Sequence, residues 1–153
     1  MGPSFPVGGI VEFGARRRIT LSTSTSPAAG SLPILVVEDE PAVMDFMRAV
    51  LERNGYATVP ATSGVQALEL LEGGQYLGVI TDMRTPGGVS GADVHAWITV
   101  HRAELKTRVI FVTGDTANES SAALLENTGA PFVEKPFRVQ QLISVVEKTF
   151  GKP

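Results

Sequence analysis

Five side chains that could handle a phosphate group stand directly after short apolar runs of the sequence. Glu38 and Asp39 follow the first run, and Asp82 ends a later one. Thr113 and Lys135 follow two further runs. Short β-branched runs separated by helical stretches indicate a parallel α/β sheet, in which ligands bind beyond the carboxyl ends of the strands. We therefore expect these residues, distant in sequence, to meet at one edge of a sheet.

The carboxylates of this group predict a magnesium site. Carboxylates at one sheet edge repel one another unless a cation neutralises them, and Mg²⁺ is a hard cation that accepts carboxylate, carbonyl, water and phosphate oxygens. Asp39 and Asp82 are the expected direct ligands, and Glu38 is expected to bind directly or through water. The main-chain carbonyl of Arg84 is expected to supply a further oxygen.

Asp82 is the expected nucleophile, because it ends the central strand and opens a Pro/Gly-rich loop. A carboxylate beside Mg²⁺ can attack a phosphoryl donor and form an acyl phosphate, a reaction that needs mainly alignment and charge neutralisation. Lys135 would supply a mobile positive charge, and Thr113 a hydroxyl donor. Each residue type alone is common at strand ends, so the prediction depends on their joint placement.

Five strand–helix units would position these residues. The predicted strands are 34–37, 56–59, 77–81, 109–112 and 131–134, each followed by a stretch of helical character. Right-handed crossovers give the strand order 2-1-3-4-5. The predicted fold class is α/β, a flavodoxin-like, doubly wound, five-stranded parallel sheet with five helices. The last helix is expected to direct these side chains inward: Val139, Leu142, Ile143, Val146 and Phe150.

The composition predicts a soluble, cytoplasmic domain with a polar extension at its N-terminus. The 153 residues, 43% of them hydrophobic, suit one domain with a substantial core. A net charge of −3 does not indicate the basic surface that binds nucleic acid. The absence of cysteine excludes disulfides and thiolate metal sites. No apolar run is long enough for a membrane helix. Residues 1–31 are expected to form a flexible tail or linker before a domain over residues 32–150.

Taken together, the motifs resemble the receiver domain of two-component response regulators, over about residues 33–150. They are similar to the acidic pair, the phospho-acceptor block, the switch hydroxyl and the lysine motif of that family. The acidic pair corresponds to Val37-Glu-Asp-Glu-Pro41, and the phospho-acceptor block to Ile80-Thr-Asp82 with Pro86 and Gly91. The switch hydroxyl corresponds to Val112-Thr-Gly114, and the lysine motif to Glu134-Lys-Pro-Phe137.

The resemblance implies Mg²⁺-dependent phosphorylation of Asp82 by a histidine kinase or a phosphotransfer domain, followed by slow self-hydrolysis. It also implies a switch in which Thr113 moves toward the phosphoryl group and the ring of Phe132 turns. The surface of the fourth helix, fifth strand and fifth helix would then change and engage a downstream protein. The domain is thus expected to signal rather than to act as an enzyme, as a monomer or weak homodimer.

Three features depart from the family pattern. Glu38 stands where Asp is commoner, and Phe132 stands where Tyr is frequent. The loop after Asp82 has Thr85 in place of Met and one extra residue before Gly91. The longer acid extends the reach to a metal, and a Phe ring can turn but has no hydroxyl to donate.

Arg84 and Asp115 lie two residues after Asp82 and Thr113, and we expect both to rim the phosphoryl site. Our hypothesis is that they pair across its mouth and tune hydrolysis. The alternative is two independent solvated charges.

Three other functions are alternatives at this point. A pseudo-receiver that binds proteins without phosphorylation would lack the acceptor or the lysine. A flavin-binding electron carrier needs a phosphate loop after the first strand, where Glu38-Asp-Glu40 would repel phosphate. A Mg²⁺-dependent phosphohydrolase is expected to have a second acid where this chain has Arg84. A stand-alone regulator and the terminal receiver of a hybrid sensor kinase both fit, and the stretch from residue 128 to 137 resembles the latter.

Overall fold

The computed structural model describes residues 32–114 and 117–153, in which helices cover both faces of a five-stranded parallel sheet. The strands are β1 (Ile34–Val37), β2 (Thr58–Ala61), β3 (Gly78–Asp82), β4 (Val109–Thr113) and β5 (Phe132–Glu134). The helices are α1 (Pro41–Arg53), α2 (Gly64–Gly73), α3 (Gly91–His101), α4 (Glu119–Thr128) and α5 (Val139–Phe150), with a 3₁₀ turn at Ala103–Leu105. The order β2-β1-β3-β4-β5 confirms the predicted topology. The predicted linker over residues 1–31 and the predicted modulator Asp115 lie outside the described residues.

The alternation of side chains along the strands divides the core into two layers. Ile34 and Val36 of β1 pack with residues of α1 and α5, whereas Leu35 and Val37 pack with residues of α2 and α3. A parallel sheet is buried on both faces, so its central strands are continuous apolar runs. Those runs are the pattern from which the strands were predicted.

The helices begin where the sequence contains start signals. Pro41 occupies the first turn of α1, where its missing N–H is not needed. The hydroxyl of Ser63 accepts the amide of Gln66 at the start of α2. Ser90 and Asp93 form a reciprocal capping box that fixes the start of α3 beyond the acceptor loop.

Two predicted details are wrong. The second strand begins at Thr58 and continues through Pro60 to Ala61, rather than spanning residues 56–59. Because β2 is an edge strand, the missing N–H of Pro60 costs no ladder hydrogen bond on its outer side. Val139 was predicted to face inward but is 41% exposed, since it is the first residue of α5.

Phe46, the largest apolar residue of α1, does not belong to the buried side of that helix. Met44, Met47, Val50 and Leu51 are buried, whereas Phe46 is largely exposed. The ring of Phe46 packs instead against that of Phe137, with centroids 5.8 Å apart.

Candidate functional site

The carboxyl ends of β1 and β3 bring the predicted acidic residues together. Val37 pairs in register with Thr81, so Glu38 and Asp82 come next on adjacent strands. Asp39 follows Glu38 at the start of the loop to α1. One carboxylate oxygen from each of the three acids lies within 4.8 Å of the others. Residues more than forty positions apart thus form one acidic cluster.

Lys135, at the end of β5, offsets part of the negative charge of this cluster. Its Nζ lies 3.0 Å from Asp82 Oδ2, 3.1 Å from Glu38 Oε1 and 3.4 Å from Glu40 Oε1. The main-chain amide of Lys135 donates to the carbonyl of Thr113 at 2.7 Å, which fixes the lysine beside β4. The sequence did not predict the contribution of Glu40, which comes from its position as the residue before α1.

Glu38 is the most deeply buried acid of the cluster, with 1% of its surface exposed. Its Oε2 accepts the amide of Glu40 at 3.1 Å. Its Oε1 is buried and makes no hydrogen bond of regular geometry among the described residues, although Lys135 is close enough for an ion pair. Burial raises the pKa of Glu38, against the lowering effect of the Glu40 amide and of Lys135. Burial alone would lower the pKa of Lys135, but Asp82 and then Glu38 outweigh it and raise that pKa.

The donor set of the cluster fits a hard divalent cation such as Mg²⁺. All its potential ligands are oxygens, and the buried Oε1 of Glu38 lacks the hydrogen bond that such an atom normally has. Glu38, Asp39 and Asp82 are the residues that would hold the ion. The Arg84 carbonyl as a further ligand stays a prediction.

Asp82 borders a small pocket at the sheet edge. Only 8% of its surface is exposed, and its Oδ1 accepts the main-chain amide of Arg84 at 3.1 Å. The pocket has a volume of about 260 Å³, and its lining comprises Asp82, Met83, Arg84, Thr113, Gly114 and Ser121. Asp82 therefore faces a space that both its own loop and the end of β4 enclose.

The longer loop after Asp82 folds back onto its own strand. Gly87 and Gly88 have φ angles of 87° and 83°, a left-handed conformation that favours glycine. The amide of Gly91 then donates to the carbonyl of Met83 at 3.1 Å, which returns the chain to the start of α3. Gly87 and Gly88 thus form a glycine turn within the loop that joins β3 to α3.

The structure also locates the predicted switch residues Thr113 and Phe132 and the predicted modulating residue Arg84. Phe132 pairs in register with Phe111, two residues before Thr113, so Phe132 and Thr113 share one face of the sheet. Phe132 is 43% exposed and lines a pocket of about 620 Å³ between β5 and α5. The side chain of Arg84 is exposed. Its pairing with Asp115 stays a hypothesis, since Asp115 is outside the described residues.

Sequence reasoning missed Ser121 as a member of this pocket. The helix α4 is rich in serine and alanine, so its inward face is not evident from the sequence. The available signal was the spacing of Ser121 from Leu124, Leu125 and Thr128, which places all four on one side of a helix.

Comparisons with known proteins agree with this geometry. Residues 34–147 match the response regulator receiver domain family. The sensor kinase CckA of Brucella abortus (strain 2308) is 34% identical over 127 residues, which span 81% of this chain and 13% of that kinase. The polar-differentiation response regulator DivK of Brucella ovis is 25% identical over 118 residues, which span 77% of this chain and 95% of DivK.

A solved CheY-like receiver domain from Methanospirillum hungatei JF-1 has the same fold. It superimposes with a TM-score of 0.71 at 24% identity, covering 79% of this chain and 94% of its own. Within the described residues, no helix has the length and apolar character needed to cross a membrane. The strand order, the acidic cluster with its lysine and the match over residues 34–147 lead to one conclusion: the chain belongs to the response regulator receiver domain family of two-component systems.

Proposed function

We propose that this chain is a phospho-accepting receiver of a two-component phosphorelay and that Asp82 is its acceptor. A carboxylate oxygen of Asp82 attacks the phosphorus atom of a phosphohistidine. The new O–P bond forms as the N–P bond breaks, and the electron pair of that bond returns to the imidazole nitrogen. The observation that carries the proposal is the placement of the Asp82 carboxylate, which faces a pocket while Lys135 Nζ lies 3.0 Å from its Oδ2.

The other side chains of the site have separate tasks in this reaction. Glu38 and Asp39, with Asp82, would hold Mg²⁺, which supplies charge neutralisation for the phosphoryl oxygens when bound. Lys135 offers a further positive charge, which can move from the carboxylate to a phosphoryl oxygen. Thr113 offers its hydroxyl from the end of β4. Water then hydrolyses the acyl phosphate slowly and resets the domain.

The phosphoryl donor in this proposal is the phosphohistidine of a histidine kinase or a phosphotransfer domain, in the cytoplasm. Similarity to a segment of the sensor kinase CckA supports an origin in a hybrid kinase, although the matched segment is a small part of that protein. The signal would leave through the surface of α4, β5 and α5, where the exposed ring of Phe132 borders a pocket. A downstream protein that reads this surface is the expected partner.

Intact-mass spectrometry tests the proposal directly. The protein is incubated with acetyl phosphate and Mg²⁺, beside Asp82→Asn, a chelator control and Asp45→Asn, which alters an exposed acid on α1. We expect one phosphoryl group to be added to the wild-type protein and to Asp45→Asn, and none in the other two samples. No addition to the wild-type protein, with Mg²⁺ binding confirmed separately, would refute phospho-acceptance and favour a pseudo-receiver.

A further inference from the structure

Few polar side chains are buried in the described residues, and they gather around Asp82. The buried polar residues are Glu38, Thr81, Asp82, Thr113 and Ser121. Glu38, Asp82 and Thr113 belong to the site, and the Thr81 hydroxyl donates to the carbonyl of Asp82 at 3.0 Å. Ser121 differs from the rest because it comes from a helix, α4, whose role in the reaction is so far unassigned.

Ser121 occupies an inward position of α4 where an apolar residue would be expected. Leu124 and Leu125, on the same side of the helix, pack against the core. Ser121 is nevertheless the buried residue of α4, with 7% of its surface exposed. Burial of a hydroxyl is unfavourable unless it finds a hydrogen-bond partner. A serine at this place therefore indicates a polar contact on the side that it faces.

The pocket that Ser121 faces is the one that Asp82 and Thr113 line. A single water needs only about 10–15 Å³ of such space, so a pocket of about 260 Å³ has room for a phosphoryl group. Two main-chain amides at the start of α4 are already engaged, because Asn118 Oδ1 accepts those of Ser120 and Ser121 at 2.9 and 3.3 Å. The hydroxyl of Ser121 is thus the group that α4 presents to this pocket.

We propose that the Ser121 hydroxyl donates a hydrogen bond to the phosphoryl group on Asp82 and so ties α4 directly to the phosphorylation state. This inference rests on the proposed phosphorylation of Asp82. A hydrogen bond to a charged oxygen is stronger than a neutral one, and it would form only after phosphoryl transfer. The helix becomes more ordered as a result, without requiring the ring of Phe132 to turn first.

Hydrogen exchange of the α4 amides, measured with and without acetyl phosphate and Mg²⁺, tests this contact. The phosphorylated fraction is set equal between samples by intact mass. In the wild-type protein we expect phosphorylation to slow exchange in α4 roughly tenfold or more, as a hydrogen bond to a charged group allows. Ser121→Ala should lose most of that slowing, and Ser120→Ala, which alters the neighbouring exposed serine, should keep it.

The pair Ser121→Thr and Ser121→Val separates the hydroxyl from side-chain shape, in case the alanine variant is unstable. The threonine variant should keep the slowing and the valine variant should lose it. Phosphorylation with undiminished slowing in both Ser121→Ala and Ser121→Val would overturn the inference and leave the proposed function intact. Absence of any phosphoryl gain in the wild-type protein would instead refute the proposed function itself, and this inference with it.

Discussion

Gly91 lies so close to the end of β3 that a side chain at position 91 would displace the backbone of Asp82, the proposed phospho-acceptor. A Cβ atom at Gly91 would lie 2.4 Å from the carbonyl oxygen of Asp82 and 2.9 Å from Cα of Met83, whereas real Cβ contacts essentially never fall below 3.0 Å. Both neighbours are main-chain atoms and cannot rotate away. The change Gly91→Ala therefore forces the backbone at Asp82 to shift by the gap between 2.4 and 3.0 Å, about 0.6 Å.

This shift should affect both stability and reaction rate. Overpacking of this kind typically costs about 1–3 kcal/mol in free energy of unfolding. A displacement of about 1 Å in a reacting group can slow a reaction about 100-fold, so we expect the smaller shift here to slow phosphorylation roughly tenfold. The assays are urea unfolding and the rate of mass gain with acetyl phosphate and Mg²⁺.

The matched control is Gly73→Ala at the end of α2, where a Cβ would have no neighbour within 4 Å. It should leave the phosphorylation rate unchanged and raise helix stability by up to about 1 kcal/mol. If Gly91→Ala reacted and unfolded like the wild-type protein, the proposed constraint on the Asp82 backbone would be refuted.

Three further predictions test charged groups and their contacts in the domain. Lys135→Met leaves the acidic cluster without its ammonium group, so in the absence of Mg²⁺ we expect a loss of about 2 kcal/mol in free energy of unfolding. Addition of Mg²⁺ should then raise Tm more in this variant than in the wild-type protein. Equal rises in Tm would contradict this. Arg102 donates from Nη1 to carbonyls at the end of α2, so Arg102→Ala should lower the free energy of unfolding in urea by about 1–3 kcal/mol. Glu104→Ala, which removes the exposed ion-pair partner of Arg102, should lower it by less than about 1 kcal/mol. Similar losses in the two variants would argue against the carbonyl contacts. Burial lowers the pKa of His95 below its usual 6.5. The unfolded chain therefore takes up the proton first, and the free energy of unfolding falls as the pH drops through 6.5 toward the folded pKa. Urea unfolding across pH should show a flatter profile for His95→Gln than for the wild-type protein, and an identical profile would contradict this.

The topology and the acidic cluster could be predicted from sequence because both depend on where apolar runs end. Each run must be buried on both faces of a parallel sheet, so the residue after it necessarily lies at the carboxyl edge. Glu38, Asp82 and Lys135 meet for that reason. The positions of the apolar runs and the right-handed crossover rule supplied this information, without any knowledge of side-chain packing.

Other details depend on packing that a linear pattern does not contain. The hydrophobicity of Phe46 predicts burial, but Phe46 is largely exposed and its ring packs at a tilt against that of Phe137. A proline such as Pro60 predicts the end of a strand, but β2 continues through it because an edge strand tolerates proline. The contribution of Glu40 to the lysine contacts depends on how the loop before α1 turns.

Ser121 shows how a weak pattern can conceal a site residue. A helix rich in serine and alanine has low amphipathicity, so its inward face is hard to recognise from sequence. The packing of Leu124 and Leu125 identifies that face, and the burial of Ser121 beside the pocket follows from it. The distinction between the exposed Ser120 and the buried Ser121 required three-dimensional information.

The central claim, that Asp82 accepts the phosphoryl group, is tested most directly by chemical trapping. Borohydride reduces an aspartyl phosphate to homoserine, and peptide mass spectrometry then identifies the residue that has changed. After treatment with acetyl phosphate and Mg²⁺, we predict homoserine at position 82 and at no other acidic residue. Homoserine at position 39, or the alcohol formed by reduction of a glutamyl phosphate at position 38, with Asp82 unchanged, would contradict the account.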